Sequence, residues 1–267
     1  MRFNSWRAAL ELRGRSFVLI AGIVAILGAL CGASYVVAAP IMFTGTSGDL
    51  AASVQFDMSG SNLVVTLRNT SSADVIEQPK ILTSVFFEVS GGSLLSLTPA
   101  TGSAVLAPGS TVLFGSTDPG NVVGGEWAYL EGIGGQTPNG ARYGISSSGF
   151  GIFGSASFPG SNLEGPSAVD GVQYGITSAG DNPATGQSAV TGDNALIQNG
   201  VVFTLPGLPA NFDPSQRISN VLFQYGTALT PTDPSVPGTP EPSALAIAAI
   251  AMIFTMKRPG ESRKHKV

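Results

Sequence analysis

The stretch Val54-Gln-Phe-Asp-Met-Ser-Gly-Ser-Asn-Leu-Val-Val-Thr-Leu-Arg68 decides the fold class of this chain. Apolar side chains recur at every second position in each half, the period of a strand with one buried face. Gly60-Ser-Asn62 separates the halves and favours a tight turn. The stretch therefore predicts a β-hairpin. Its apolar positions are Val54, Phe56 and Met58 before the turn and Leu63, Val65 and Leu67 after it.

The same period of two recurs in three further runs. They are Ile81, Thr83, Val85, Phe87 and Val89; Val201, Phe203 and Leu205; and Val221, Phe223 and Tyr225. Turn-forming clusters lie between the runs, among them Ser90-Gly-Gly-Ser93, Pro108-Gly-Ser110 and Asp118-Pro-Gly-Asn121. We therefore predict that residues 39–228 form an all-β domain, a single antiparallel β-sandwich with Greek-key-like connections.

An internal similarity supports repeated β units. Tyr143-Gly-Ile-Ser-Ser-Ser-Gly149 resembles Tyr174-Gly-Ile-Thr-Ser-Ala-Gly180. Two equivalent strand-and-turn units are the simplest interpretation.

Charge is distributed unevenly along the 267 residues, of which only 11% are charged. Residues 39–239 carry four basic and 14 acidic side chains, a net charge of −10, while the remaining basic residues lie at the two ends. An acidic middle of this kind argues against nucleic-acid binding, which needs a basic surface.

The N-terminus is typical of a secretory signal. Arginine-bearing residues 1–15 precede the apolar run Phe17–Leu30 and a segment of small residues. We predict a signal peptide over residues 1–38 with cleavage between Ala38 and Ala39, because cleavage one residue later would place a blocking proline directly after the cut. An uncleaved membrane anchor is the alternative, although 14 apolar residues are few for spanning a bilayer.

Cleavage there removes Cys31, the only cysteine, and the only histidine, His265, lies near the C-terminus. The mature domain then has neither a thiol nor an imidazole. This composition excludes Ser-His-Asp triads, Cys-His dyads and ordinary zinc sites.

The C-terminal region has three parts. The Pro- and Thr-rich residues 229–239 are typical of an extended linker. Pro240-Glu241-Pro242 then precedes the apolar run Ala244–Met256, which is followed by Lys257-Arg258 and a basic tail. The flanking linker and basic cluster favour a single transmembrane helix over a core helix, with both basic ends cytoplasmic.

These C-terminal residues resemble the PEP-CTERM sorting signal of bacterial exported proteins, with residues 240–267 as the sorting region. The resemblance implies cleavage near Pro240-Glu241-Pro242 by an exosortase, a membrane-embedded transpeptidase-like enzyme, with Lys257 and Arg258 as the basic part of the signal.

The middle of the chain resembles exosortase-dependent surface proteins in four segments, namely residues 63–70, 85–87, 174–181 and 218–226. Together the resemblances imply an exported surface or extracellular-matrix protein with a structural or adhesive role among exopolysaccharide. Its partners would be signal peptidase, the exosortase, the inner membrane before processing, and exopolysaccharide.

A carbohydrate-binding module is an alternative function. Trp127, Tyr129 and Tyr143 are candidates for an aromatic platform that stacks on sugar rings. Packing of these side chains in the core is the competing interpretation.

A secreted glycoside hydrolase is a weaker alternative, and we expect no enzymatic activity. Such an enzyme needs two carboxylates that face one cleft. Glu126 and Glu131 are the best local pair, but a separation of five places them on opposite faces of a strand.

No cofactor is expected, with calcium as the open question. Gly180-Asp181-Asn182 and Gly192-Asp193-Asn194 offer Asp181 and Asp193 as hard oxygen ligands. The same tripeptides are also good turn formers, and this interpretation is favoured.

Overall fold

The computed structural model describes residues 39–91, 103–160, 162–163, 169, 171–185, 190, 194–209 and 211–242, and these residues form an all-β fold. Within them, fourteen strands assemble into two sheets. The strands are β1 (Ile41–Ser47), β2 (Leu50–Ser59), β3 (Asn62–Asn69), β4 (Leu82–Val89), β5 (Ala104–Leu106), β6 (Thr111–Leu113), β7 (Ala128–Glu131), β8 (Tyr143–Ser146), β9 (Ile176–Thr177), β10 (Leu196–Gln198), β11 (Gly200–Pro206), β12 (Ile218–Tyr225), β13 (Ser235–Pro237) and β14 (Thr239–Pro240).

The first sheet is antiparallel throughout, in the order β14-β1-β2-β3-β11-β5. Its centre is the predicted hairpin of β2 and β3, in which Val54 lies opposite Leu67 and Phe56 opposite Val65. Gly60 turns the chain with a φ of +63°, a conformation that glycine adopts without strain. The predicted hairpin is confirmed in position.

The second sheet has the order β13-β12-β4-β9-β10-β6, and β8 joins β4 to β7. The expectation of purely antiparallel strands is wrong at one place, because β9 and β10 run parallel. Parallel neighbours need a long crossover connection. The chain between Thr177 and Leu196 is long enough for such a connection.

The two sheets pack face to face and share one apolar core. The rings of Phe56 in the first sheet and Phe87 in the second lie 5.0 Å apart. Trp127, which directly precedes β7, contacts Phe203 of the first sheet with ring centroids 5.1 Å apart. The fold is therefore sandwich-like, with aromatic side chains bridging the sheets.

Strand β4 is buried on both faces rather than on one. Val85 and Phe87 face the shared core, while Phe86 belongs to a second apolar cluster on the other face of the sheet. Phe153 stacks on Phe86 at a centroid distance of 6.4 Å. Phe153 and neighbouring residues cover this outer face, so every residue of β4 is buried except Glu88, which is partly exposed.

The two similar segments found in the sequence lie end to end along the same edge of β4. Tyr143 in β8 pairs with Phe87, and Ile176 in β9 pairs with Leu82. Strand β12 occupies the other edge. The two similar segments thus contribute strands β8 and β9, which both pair with the central strand β4.

Helical structure is minor in the described part of the chain. A four-residue helix α1 (Pro214–Arg217) is capped by Asp213, whose side chain accepts a hydrogen bond from the Ser215 amide. Single 3₁₀ turns occur at Gln78–Lys80, Gly124–Glu126 and Ser155–Ser157. A helix with the length and apolar character required to cross a bilayer does not occur among the described residues. The predicted signal peptide (1–38) and transmembrane helix (244–256) lie outside them.

Candidate functional site

The predicted sorting motif begins inside the last strand of the first sheet. Pro240 in β14 lies opposite Phe43 in β1. The backbone amide of Glu241 donates a hydrogen bond to the carbonyl oxygen of Met42, with an N···O distance of 2.8 Å. The side chains of Pro240, Glu241 and Pro242 are all exposed. The motif is therefore a solvent-facing edge of the sheet.

The two prolines of the motif suit this edge position. Successive amides of a strand point to opposite sides, and the Glu241 amide points towards β1. The nitrogens of Pro240 and Pro242 consequently face away from the sheet, where a missing N–H breaks no ladder hydrogen bond. The outer edge lacks two donors, which protects it against pairing with another chain.

The expected extended linker over residues 229–239 is instead part of the fold. Val236 in β13 lies opposite Phe223 in β12 and is buried. The sequence did not reveal this pairing, because a segment rich in Pro and Thr is typical of an edge strand as well as of a free linker. The domain thus extends into the segment that the sequence assigned to the linker.

Two side chains hold the loop that leads into β13. The side chain of Gln224 is 1% exposed, and its Nε2 donates hydrogen bonds to the backbone carbonyls of Ala228 and Asp233 at 3.0 and 3.2 Å. Asp233 Oδ2 accepts hydrogen bonds from the amides of Thr227 and Ala228 at 2.7 and 2.8 Å. These bonds fix the direction in which the chain enters β13.

We call residues 234–242 the C-terminal clasp, because they connect both sheets. The Gly238 amide donates to the carbonyl of Val221 in the second sheet at 2.9 Å, and the following residues pair with β1 in the first. Gly45 in β1 permits the approach, since a Cβ there would lie 2.7 Å from the Pro237 oxygen and 2.9 Å from Val236 Cγ1. Even the smallest side chain at position 45 would push the clasp away.

The aromatic candidates for sugar binding are buried. Trp127, Tyr129 and Tyr143 have exposed fractions of 2%, 6% and 0%. A stacking platform needs an exposed ring face, so the expected platform is corrected to core packing, the competing interpretation. Burial raises the pKa of the Tyr129 hydroxyl, and the nearby Glu131 and Tyr143 raise it further.

A small cleft with a mixed polar and apolar lining includes Gly125 and Glu126, the two residues before Trp127. Its volume is about 130 Å³, and Glu126 lies in its wall. Glu126 is buried and accepts a hydrogen bond from the Leu163 amide. The other described lining residues include Ser147, Phe158 and Gln173. Glu131, the second carboxylate of the candidate pair, is not among the described residues that line this cleft.

Asp181, the first calcium candidate, forms a pair with Asp74, whose importance the sequence did not reveal. The two carboxyl groups interact electrostatically, Asp181 Oδ1 accepts a hydrogen bond from the Val75 amide at 2.9 Å, and Asp181 Oδ2 is buried without a described hydrogen-bond partner. Burial raises the pKa of Asp181, and Asp74 raises it further. Hydrogen bonds from the Thr185 hydroxyl and the Asn182 amide lower the pKa of Asp74.

The two environments therefore shift the pKa values of Asp74 and Asp181 in opposite directions. In the part of the chain that is described, no three His, Cys, Asp or Glu side chains gather around one point. The second calcium candidate, Asp193, lies outside the described residues. Calcium binding therefore stays a prediction.

Of the remaining predicted site residues, the structure describes one and leaves three outside its described ranges. Ala39 is described and lies two residues before the start of β1 at Ile41. Ala38, Lys257 and Arg258 lie outside the described residues.

Comparison of the chain with protein-family models, with curated proteins and with solved structures finds no match in any of the three.

Proposed function

We propose that the chain is an exported bacterial surface or extracellular-matrix protein. In this proposal residues 1–38 are removed as a signal peptide, Ala244–Met256 forms a transient membrane helix, and an exosortase cuts near Pro240-Glu241-Pro242. The Greek-key-like domain between the two signals has a structural or adhesive role in association with exopolysaccharide. No catalytic step is assigned to it.

One observation carries the proposal. The paired strands begin at Ile41, and the last described backbone bond of the chain is made by Glu241. A C-terminal cut after Glu241, with removal of residues 1–38, would take no strand from either sheet. The exposed side chains of the motif favour recognition by a second protein.

The test is the intact mass and the terminal peptides of the protein from membrane, surface and medium fractions of its host. We expect a mature species that begins near Ala39 and ends near the motif. Glu241→Ala should block the C-terminal cut while keeping the backbone bond to Met42, and Glu77→Ala, at another exposed glutamate, should not. Persistence of residues up to Val267 in all fractions would refute exosortase processing.

Carbohydrate binding is the second candidate, and its support is the small cleft that Glu126 lines rather than the buried aromatic rings. Glu126, Ser147 and Gln173 line the cleft with polar groups, and Phe158 lines it with an apolar face. Gln173→Ala should weaken binding in a glycan array without changing the fold. Equal binding by the variant and the natural chain would exclude this cleft as the glycan site.

A further inference from the structure

The sorting motif is the last part of the C-terminal clasp, and its backbone is already hydrogen-bonded within the domain. Within the motif only Glu241 has a backbone N–H to donate, and the Met42 carbonyl already accepts it. A peptide that binds in an extended groove is recognised through its own backbone donors and acceptors. Docking of the motif on β1 and binding of the motif to a processing enzyme therefore compete for the backbone N–H of Glu241.

We infer that the clasp is a latch on processing, with Gly45 as a positioning residue that acts through it. The docked motif is withheld from the enzyme, and cleavage takes place only from the undocked state. This inference rests on the proposed function, because it concerns the regulation of the same cleavage signal.

The contacts allow the latch to open without unfolding the domain. The inner part of the clasp is anchored by Val236, which is buried, and by the Gly238 bond to Val221. The outer part is exposed and has few contacts, among them the Thr239 hydroxyl bond to the Thr44 carbonyl at 3.1 Å. Segments held by few exposed hydrogen bonds open locally and at low cost.

Gly45 offers a way to open the latch from outside the motif. Gly45→Ala adds one methyl group, and its conflict with the Pro237 oxygen and Val236 Cγ1 should loosen the inner part of the clasp, from which the exposed outer part continues; Phe223 Cδ2 in β12, at 3.1 Å, is the third neighbour. Gly154→Ala is the matched control, because a Cβ at Gly154 meets no atom within 4 Å. Since Gly45 is far from the motif in sequence, its replacement leaves the enzyme's recognition sequence intact.

The first measurement is hydrogen exchange, followed by mass spectrometry, on the unprocessed full chain in detergent. The Glu241 amide should be protected in the natural chain and in Gly154→Ala, and should exchange about tenfold faster in Gly45→Ala. Amides of β2 and β3 report on the rest of the domain. Exchange of the Glu241 amide in the natural chain at the rate of an unstructured peptide would overturn the inference, whatever is found for processing.

The second measurement is a pulse-chase of the C-terminal cut in the host. The rate should rise about tenfold in Gly45→Ala and stay unchanged in Gly154→Ala. If Gly45→Ala fails to fold, Thr239→Val replaces it, because this change removes only an exposed hydroxyl donor; its rate should rise about threefold.

The outcomes separate the latch from the proposed function. If the motif undocks but is cut at the natural rate, the latch is overturned and processing stands. If no chain is cut, the proposed function fails and the latch on processing fails with it, while hydrogen exchange still reports whether the clasp is docked.

Discussion

The Glu241 amide and the Met42 carbonyl, 2.8 Å apart, join the last described residues of the chain to its first strand. Ala39, where the mature chain is predicted to begin, lies three residues before Met42. The two proposed processing points are therefore close together at one edge of the first sheet. The bond between Glu241 and Met42 therefore places both ends of the proposed mature domain on the same side of the fold.

Trp127 should contribute to stability rather than to ligand contact. Trp127→Ala removes a ring that packs on Phe203 between the sheets, and we expect the free energy of unfolding to fall by about 3–5 kcal/mol. Urea denaturation measures the change. Ile76→Ala, at a side chain that is 46% exposed, should change it by less than about 0.5 kcal/mol. A stable Trp127→Ala protein would show that the ring is not part of the core.

Gly144 in β8 should not tolerate a side chain. A Cβ at this position would lie 2.8 Å from Phe86 Cδ1 and 2.9 Å from Ile133 Cδ1. Gly144→Ala should therefore destabilise the domain by about 1–3 kcal/mol, as overpacked cores do. Thermal unfolding of this variant beside Gly154→Ala is the comparison. Equal melting temperatures would contradict the close packing of β8 on β4.

Asp233 should hold the loop before the clasp. Asp233→Ala leaves the amides of Thr227 and Ala228 without their acceptor, and we expect a loss of about 1–3 kcal/mol. Hydrogen exchange of these two amides should accelerate together. Asp57→Ala is the control, because the described bond of Asp57 is made to the neighbouring Met58 amide. Unchanged exchange in Asp233→Ala would remove the basis for this role.

The Asp74–Asp181 pair should make stability depend on pH. Because the folded pKa of Asp181 is raised above its unfolded value, its contribution is complete below the unfolded pKa of about 4 and is lost as the pH rises through the folded value. Asp181→Asn keeps an acceptor for the Val75 amide and cannot ionise, so this loss should disappear. Lys80 and Asp49 line the same crevice as Asp74, and both are kept in the Asp181→Asn variant.

The measurement for this pair is the difference in unfolding free energy between the natural chain and Asp181→Asn from pH 4 to pH 8. The difference should shift in favour of the variant as the pH rises. A parallel titration with calcium tests the metal hypothesis. Calcium-dependent stabilisation of the natural chain alone would show that a cation, and not a proton, joins the two carboxyl groups.

Much of the sheet structure was predictable from local pattern. The β2–β3 hairpin and the strands β11 and β12 lie where the alternation predicted them, because side chains two apart in a strand share a face. The parallel pairing of β9 and β10 was not predictable, since both strands are too short to have a pattern of their own.

The sequence by itself determined the strand faces, the turns and the absence of thiol and imidazole chemistry from residues 39–242, because these depend on neighbouring residues or on composition alone. Only the tertiary structure decided that Trp127 is covered, that Asp74 meets Asp181 and that residues 234–242 dock on both sheets. Each of these relationships joins residues distant in the chain. Alternation predicts which face of a strand is apolar, whereas the partner that covers this face is chosen by packing.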